Sequence, residues 1–311
     1  TNDYAGRPHI GGAMKLTTAL AAFGLATSFA FAGYTQAQEE TGLTAQRLSD
    51  TVSVLSGEGG NIGVFSGADG TFIVDDMYKG DGEMIASAVA KISDLPISYV
   101  LNTHWHFDHA GSNAYFGQQG ATIIAHDNVR TMLARGATLR VVEHVEPPAP
   151  PEALPIITFN DSLSLHLNGE EVHVLHVTPG HTDGDGIVWF KGSNIIHMGD
   201  AFLAYRYPLI DVDSGGSVDG MITTAETVLT FINENTRLIP GHGPVAGKAD
   251  LAAYRDMLVT LRDRIADMKG RGMSLEEVLA ADVTMELDGR WNTWGDEWKR
   301  VSLRSIYWAT P

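Results

Sequence analysis

Residues 51–76 alternate short apolar, β-branched runs, TVSVLS (51–56), NIGVFS (61–66) and TFIVDD (71–76), with the glycine-rich breaks GEGG and GADG. Runs of this length between such breaks predict an antiparallel meander. The period then changes: Met84, Ile85, Ala88, Val89 and Ile92 recur at helical spacing within 82–93, and ISYVLNT (97–103) follows as a buried strand. ATIIA (121–125) predicts another strand and residues 128–135 a helix. EPPAPPEALP (146–155) interrupts the pattern as a stiff crossover, because proline has no backbone donor and a fixed φ. Beyond it, SLSLHL (162–167), EVHVLHV (171–177), GIVWF (186–190), NIIHMGD (194–200) and RLIP (237–240) predict strands. Helices are expected at 219–233, 248–269 and 274–281. Strands grouped in each half, with helices after them, predict an α/β fold of two mixed sheets packed face to face and covered by helices outside.

The 311 residues, 44% hydrophobic with 34 glycines, can bury a sizeable core. One run, Leu16 to Ala32, follows Met14 and Lys15 and ends in small residues near 30–32 or 35–37, the order of a secretory signal peptide. Its threonines, serine and glycine weaken a membrane-anchor reading. Residues 14–37 are therefore expected to be a signal peptide and 1–13 an artificial or upstream extension. Residues 38–311 then form one domain with a helical, aromatic C-terminal tail, periplasmic or secreted and free of the membrane after cleavage. The formal charge of −17 becomes −18 when Asp3, Arg7 and Lys15 leave. So acidic a chain without a basic stripe excludes a nucleic-acid partner and leaves a small-molecule substrate. Cysteine is absent, which removes thiolate ligands, disulfides and a cysteine nucleophile.

THWHFDHAGSN (103–113) puts His104, His106, Asp108 and His109 at the end of a predicted strand. On an extended segment His104 and His106 face the same way, while Asp108 and His109 on the following turn address a second nearby point. Imidazoles with a hard carboxylate suit zinc, and a site without thiolate also accepts iron or manganese. Three later strands end in a similar way: VTPGHTDGD supplies His181, HMGDAF Asp200 and IPGHGP His242, each beside glycine. Asp75 and Asp76, closing an early strand, are candidates for holding the ligand histidines from behind.

The H-x-H-x-D-H cluster, the later histidine, the G-D aspartate and the G-H-G histidine resemble the metallo-β-lactamase superfamily of metallo-hydrolases, in order across 51 to about 245. The resemblance implies an αβ/βα sandwich with two zinc ions at one edge between the sheets. It assigns His104, His106 and His181 to the first ion, Asp108, His109 and His242 to the second, and Asp200 to both. Two ions roughly 3.5–4 Å apart would activate a shared hydroxide for attack on a carbonyl, with Asp108 orienting the nucleophile.

Departures narrow the expectation. One antibiotic-hydrolysing subclass has cysteine where Asp200 stands and a lysine where Leu203 stands, whereas the aspartate resembles glyoxalase II and lactonase branches. Flavodiiron relatives carry glutamate in place of His106, which argues against oxygen chemistry. Arg206, with Tyr205 and Tyr207, is a candidate receiver of an anionic substrate group. His126, His144, His166, His173, His176 and His197 read as structural, and the late aromatic group Trp291, Trp294, Trp298, Tyr307 and Trp308 as tail packing. The functions left are cleavage of a β-lactam-like cyclic amide, thioester or lactone hydrolysis, and a non-catalytic metal-binding module.

Overall fold

The computed structural model describes residues 42–310, so the expected signal peptide and the extension before it lie outside the described residues. The first sheet begins as a meander of β1 (Thr44–Arg47), β2 (Val52–Gly57), β3 (Gly60–Gly67) and β4 (Gly70–Val74). Helix α1 (Gly82–Val89) leads to β5 (Ile97–Leu101), α2 (Asn113–Gln118), β6 (Thr122–His126) and α3 (Asp127–Arg135). A hairpin of β7 (Ala137–Leu139) and β8 (His144–Glu146) precedes β9 (Ile157–Phe159), which closes the sheet in the order β1-β2-β3-β4-β5-β6-β9. The pairs β4–β5, β5–β6 and β6–β9 are parallel, so this sheet is mixed.

The second sheet runs β10 (Ser162–Leu167), β11 (Glu170–Leu175), β12 (Ile187–Phe190), β13 (Ile195–Leu203) and β14 (Arg237–His242). Helix α4 (Val218–Phe231) carries the chain from β13 back to a parallel β14. Helices α5 (Lys248–Gly270), α6 (Leu275–Ala280), α7 (Asp288–Trp291) and α8 (Asp296–Ala309) follow. Among the described residues no helix is long and apolar enough to cross a membrane.

The layering follows from side-chain alternation. On β4, Phe72 and Val74 join Val174, Val188, Phe190 and Ile195 of the second sheet, while Ile73 between them packs with Ile85 and Val89 of α1. On the far side Ile196 and Met198 of β13 meet Met221 and Val228 of α4 and Leu251 and Leu258 of α5. The order is helices, sheet, sheet, helices, as the sequence pattern predicts.

Differences are local. The strand expected over 97–103 stops at Leu101, and the one expected over 194–200 runs on to Leu203, wholly buried. The expected helix over 82–93 stops at Val89 and caps at Ala90. Within the proline-rich crossover Glu146 ends β8, and Pro151–Ala153 form one turn of 3-10 helix, a place where proline's missing donor costs nothing. Strands β1, β7, β8 and β9 and helix α2 are too short to carry a period.

Candidate metal centre

The ligand candidates come together because several strands end at the same edge of the sandwich. His104, His106, Asp108 and His109 follow β5, Asp200 lies in β13, His242 ends β14, and His181 sits in the loop after β11. Two glycines keep that edge open. A Cβ on Gly241 would stand 1.8 Å from Asp200 Oδ1, and Gly199, at φ +51, would place one 2.6 Å from Thr103 Oγ1.

His104, His106 and His181 form one group whose ligand atoms lie within 4.8 Å of one another, and His109, Asp200 and His242 form another. Asp108 adjoins the second group, its Oδ2 lying 3.3 Å from His242 Nε2 and 3.8 Å from His109 Nε2. Asp200 stands between the groups, with Oδ1 3.2 Å from His109 Nε2 and Oδ2 3.8 Å from His181 Nε2. All seven residues of the sequence-derived ligand set are therefore assembled in one place.

The nitrogens that face outward fix which nitrogens face in. His181 Nδ1 donates to the Leu209 carbonyl at 2.7 Å. His109 Nδ1 donates to Asp75 Oδ2 at 2.8 Å, and His104 Nδ1 to Thr103 Oγ1 at 3.0 Å. Thr103 Oγ1 donates in turn to the same Asp75 Oδ2 at 2.8 Å. Asp75, at φ 67, thus steadies one histidine of each group, directly and through a hydroxyl. His106 is reversed: its Nε2 donates to Asp211 Oδ2 at 3.2 Å, which leaves Nδ1 facing His181 Nε2 at 2.9 Å. Each hydrogen bond selects a tautomer and points an imidazole lone pair inward.

These inward lone pairs fit a cation. His104 Nε2 is buried without a hydrogen-bond partner, and the facing pairs His106–His181 and His109–His242 bring nitrogens to 2.9 and 3.3 Å. Burial, followed by His109, His181 and His106, holds His104 well below the usual imidazole value. His181 is pushed down to about 4 by burial and then by His106. In the second group burial opposes charge, yet Asp200, Asp108 and Asp75 hold His109 well above its ordinary value. Burial likewise resists ionisation of Asp108 and Asp200, but His109 and His242 hold the first down at about 2 and the second well below the carboxylate range. His104 and His181 are thus neutral and the two carboxylates ionised, the states that metal ligation needs, whereas His109 carries a proton that a bound cation would displace.

Of the expected outer partners, Asp75 contacts ligand histidines, whereas Asp76 accepts from the Ser112 amide at 2.9 Å. Asp211 and Thr103 were not among the sequence-derived candidates; Thr103 directly precedes the cluster, but Asp211 sits in an ordinary turn-like stretch, DVDSGG. Asp185 is a third: its carboxylate accepts from the His181 and Thr182 amides at 2.7 and 3.0 Å and shapes the loop behind His181. Burial raises it to about 7 against those hydrogen bonds.

The three substrate candidates separate. Tyr205 donates to Asp250 at 3.0 Å and Tyr207 to Asp288 at 2.7 Å, so both hydroxyls are tied to the helical layer and neither joins the ligand group. Arg206 goes elsewhere: its guanidinium lies 3.7 Å over the Trp294 ring, which sits 5.3 Å from the His242 ring. Burial lowers Arg206 to about 10 while Asp200 acts the other way, so it stays cationic at neutral pH.

Residues 55–262 match the family model of the metallo-β-lactamase superfamily. The chain belongs to that superfamily. A type 2 metallo-β-lactamase from Bacteroides fragilis is 25% identical over 165 residues, which are 53% of this chain and 61% of that protein. A hydroxyacylglutathione hydrolase from a Polaromonas species is 26% identical over 187 residues, 57% of this chain and 63% of that one. The chain thus spans about three fifths of the length of these two superfamily relatives. In fold it matches a metallo-β-lactamase from Pontibacter korlensis, with TM-score 0.58, 16% identity, and coverage of 70% of this chain and 99% of that one. A sec-alkylsulfatase from a Pseudomonas species gives TM-score 0.64 at 14% identity, covering 86% of this chain and 49% of that one. The superfamily is one of metal-dependent hydrolases, and its fold is the αβ/βα sandwich described above.

Proposed function

We propose that the protein is an exported dinuclear zinc hydrolase that cleaves a carbonyl substrate, with a β-lactam-like cyclic amide as the first substrate class to test. The observation that carries the hydrolase reading is the inward convergence of histidine ring nitrogens around Asp200 and Asp108, with the outer nitrogens of His104, His106, His109 and His181 each hydrogen-bonded from behind. Two divalent ions held by these residues would supply hydroxide near neutral pH and polarise the carbonyl. Asp200 directs one oxygen toward each half. Asp108, the most open carboxylate of the set at 18% exposure, is placed to hold the proton of the attacking water. Rigid imidazoles keep this geometry at little reorganisation cost during the reaction.

The cyclic-amide assignment is supported by the type 2 metallo-β-lactamase relative and by the signal-like run at 16–32, which would place the enzyme in the periplasm or outside the cell. A second reading, thioester or lactone hydrolysis, is favoured by aspartate rather than cysteine at position 200 and by the hydroxyacylglutathione hydrolase relative. A panel of penicillins, carbapenems, lactones and S-lactoylglutathione, run with and without chelator on zinc-loaded protein, separates them. Chelator-sensitive β-lactam turnover supports the first reading; turnover of thioesters or lactones alone replaces it. Fewer than one equivalent of bound transition metal after zinc loading would sink the hydrolase reading altogether. N-terminal sequencing of the mature protein tests export.

A further inference from the structure

Two neighbours in the ligand cluster reach the same distant turn. His106 Nε2 donates to Asp211 Oδ2 at 3.2 Å, and Trp105 Nε1 donates to Ser214 Oγ at 3.0 Å. Asp211 and Ser214 are the two ends of that turn, a single turn of 3-10 helix over Val212–Ser214. Asp211 Oδ1 closes it by accepting from the Asp213 and Ser214 amides at 3.0 and 3.2 Å. The carboxylate that holds His106 is therefore itself aimed by the residue that Trp105 holds.

The same stretch carries His181. Besides the bond from its Nδ1 to the Leu209 carbonyl, the His181 carbonyl accepts from the Asp211 amide at 2.9 Å. Two more main-chain bonds fasten its loop there, from the Asp183 amide to the Ser214 carbonyl at 2.8 Å and from the Ser217 amide to the Gly180 carbonyl at 2.7 Å. Gly216 permits this approach, since a Cβ would stand 2.5 Å from the His181 carbonyl oxygen and 2.8 Å from that of Asp211. Residues 209–217 thus lie behind two of the three histidines of the first group, which the chain supplies from positions 75 residues apart. His106 depends on this support more than its partners. Of that group it alone turns Nδ1 inward, and Nδ1 lies nearer to Cβ than Nε2 does, so this ligand atom has a short arm and follows its backbone closely. Trp105, the adjoining residue, is buried in one apolar cluster with Leu209, and its ring meets that of His106 with centroids 4.6 Å apart. Its bond to Ser214 fixes the chain at the point where His106 departs.

We propose that residues 209–217 act as one positioning element that sets His106 and His181 together, and that the Trp105–Ser214 hydrogen bond keeps this element in register with the ligand cluster. The proposal rests on the hydrolase reading only for the use to which the group is put, and the element is measured by zinc binding without turnover. Trp105 and Ser214 are positioning residues, since both act through His106.

The test is a zinc titration of the full-length protein against a chromophoric chelator, in wild type, Trp105→Phe, Ser214→Ala and the double variant. Phenylalanine keeps a buried ring and loses the N–H. Each single variant is expected to weaken the tighter zinc about tenfold and to leave the weaker one unchanged, the scale set by loss of an outer partner. The double variant should weaken it no further, because both substitutions remove the same bond. Ser214→Thr, which keeps the hydroxyl, should return the affinity toward wild type. Urea unfolding of the metal-free proteins separates a merely structural role. A stability loss with wild-type zinc affinity in the folded variants would overturn the proposal, as would losses that add in the double variant or fall equally on both ions. If Trp105→Phe fails to fold, Ser214→Ala and its threonine counterpart decide alone. Turnover of the substrate panel on the same preparations reports on the hydrolase reading separately. A Ser214-dependent zinc affinity in protein that hydrolyses nothing keeps the element and discards that reading.

Discussion

The two halves of the candidate metal centre gather different ligands on different supports, three imidazoles in one and two imidazoles with Asp108 in the other. In the first, His104, His106 and His181 are at most 3% exposed, and the outer nitrogen of each meets Thr103, Asp211 or a main-chain carbonyl. In the second, His109 is held as firmly by Asp75, but Asp108 is 18% exposed and His242 leans on Trp294 at the rim. The difference separates a closed seat, suited to retaining an ion, from an open one, suited to meeting water and substrate. Ligand identity and access distinguish them together, since the open half adds the part-exposed carboxylate of Asp108.

The contrast breaks most completely at Asp200, the residue both halves share. Asp200→Ala is expected to lower bound zinc in both and to reduce kcat/KM about a thousandfold or more, read by metal analysis and steady-state kinetics. Next in size, the halves should come apart by stoichiometry. His242→Ala is expected to keep one tightly held zinc equivalent, while His106→Ala loses the tight one; equal losses would erase the distinction drawn here. Smaller effects come from the outer partners. Asp211→Asn should weaken only the tighter ion about tenfold, whereas Asp75→Asn should weaken both by about 10–100-fold in competition with a chromophoric chelator. The smallest test lies outside the centre: Tyr207→Phe should cost about 1 kcal/mol in urea unfolding and leave zinc binding unchanged, because its hydroxyl serves Asp288.

Much of this was legible in the chain, for particular physical reasons. Unbroken apolar runs in β3 and β4 and helical spacing in α1 and α5 report burial directly, so the layers follow from the pattern. The ligands were legible because histidine and aspartate beside glycine recur at several strand ends after the first cluster, a coincidence that ordinary turn chemistry does not account for. Asp211 was not, because it meets His106 across 105 residues of sequence, and only the fold brings its turn there. Arg206 and its two tyrosines were expected to act together, but the tyrosine hydroxyls turn to helical aspartates and Arg206 alone turns to the rim. The late tryptophans divide in the same way: Trp291 is core, as expected, whereas Trp294 reaches His242. A packing residue and a rim residue look alike in sequence when both are aromatic.

Asp75 has one further consequence. Its Oδ2 receives His109 directly and His104 through Thr103, so one buried carboxylate sets the ring angle in both groups. On the proposed two-ion reading the two seats would share one point of failure: a displacement of Asp75 would turn His104 and His109 together, and zinc would be lost from both seats in parallel.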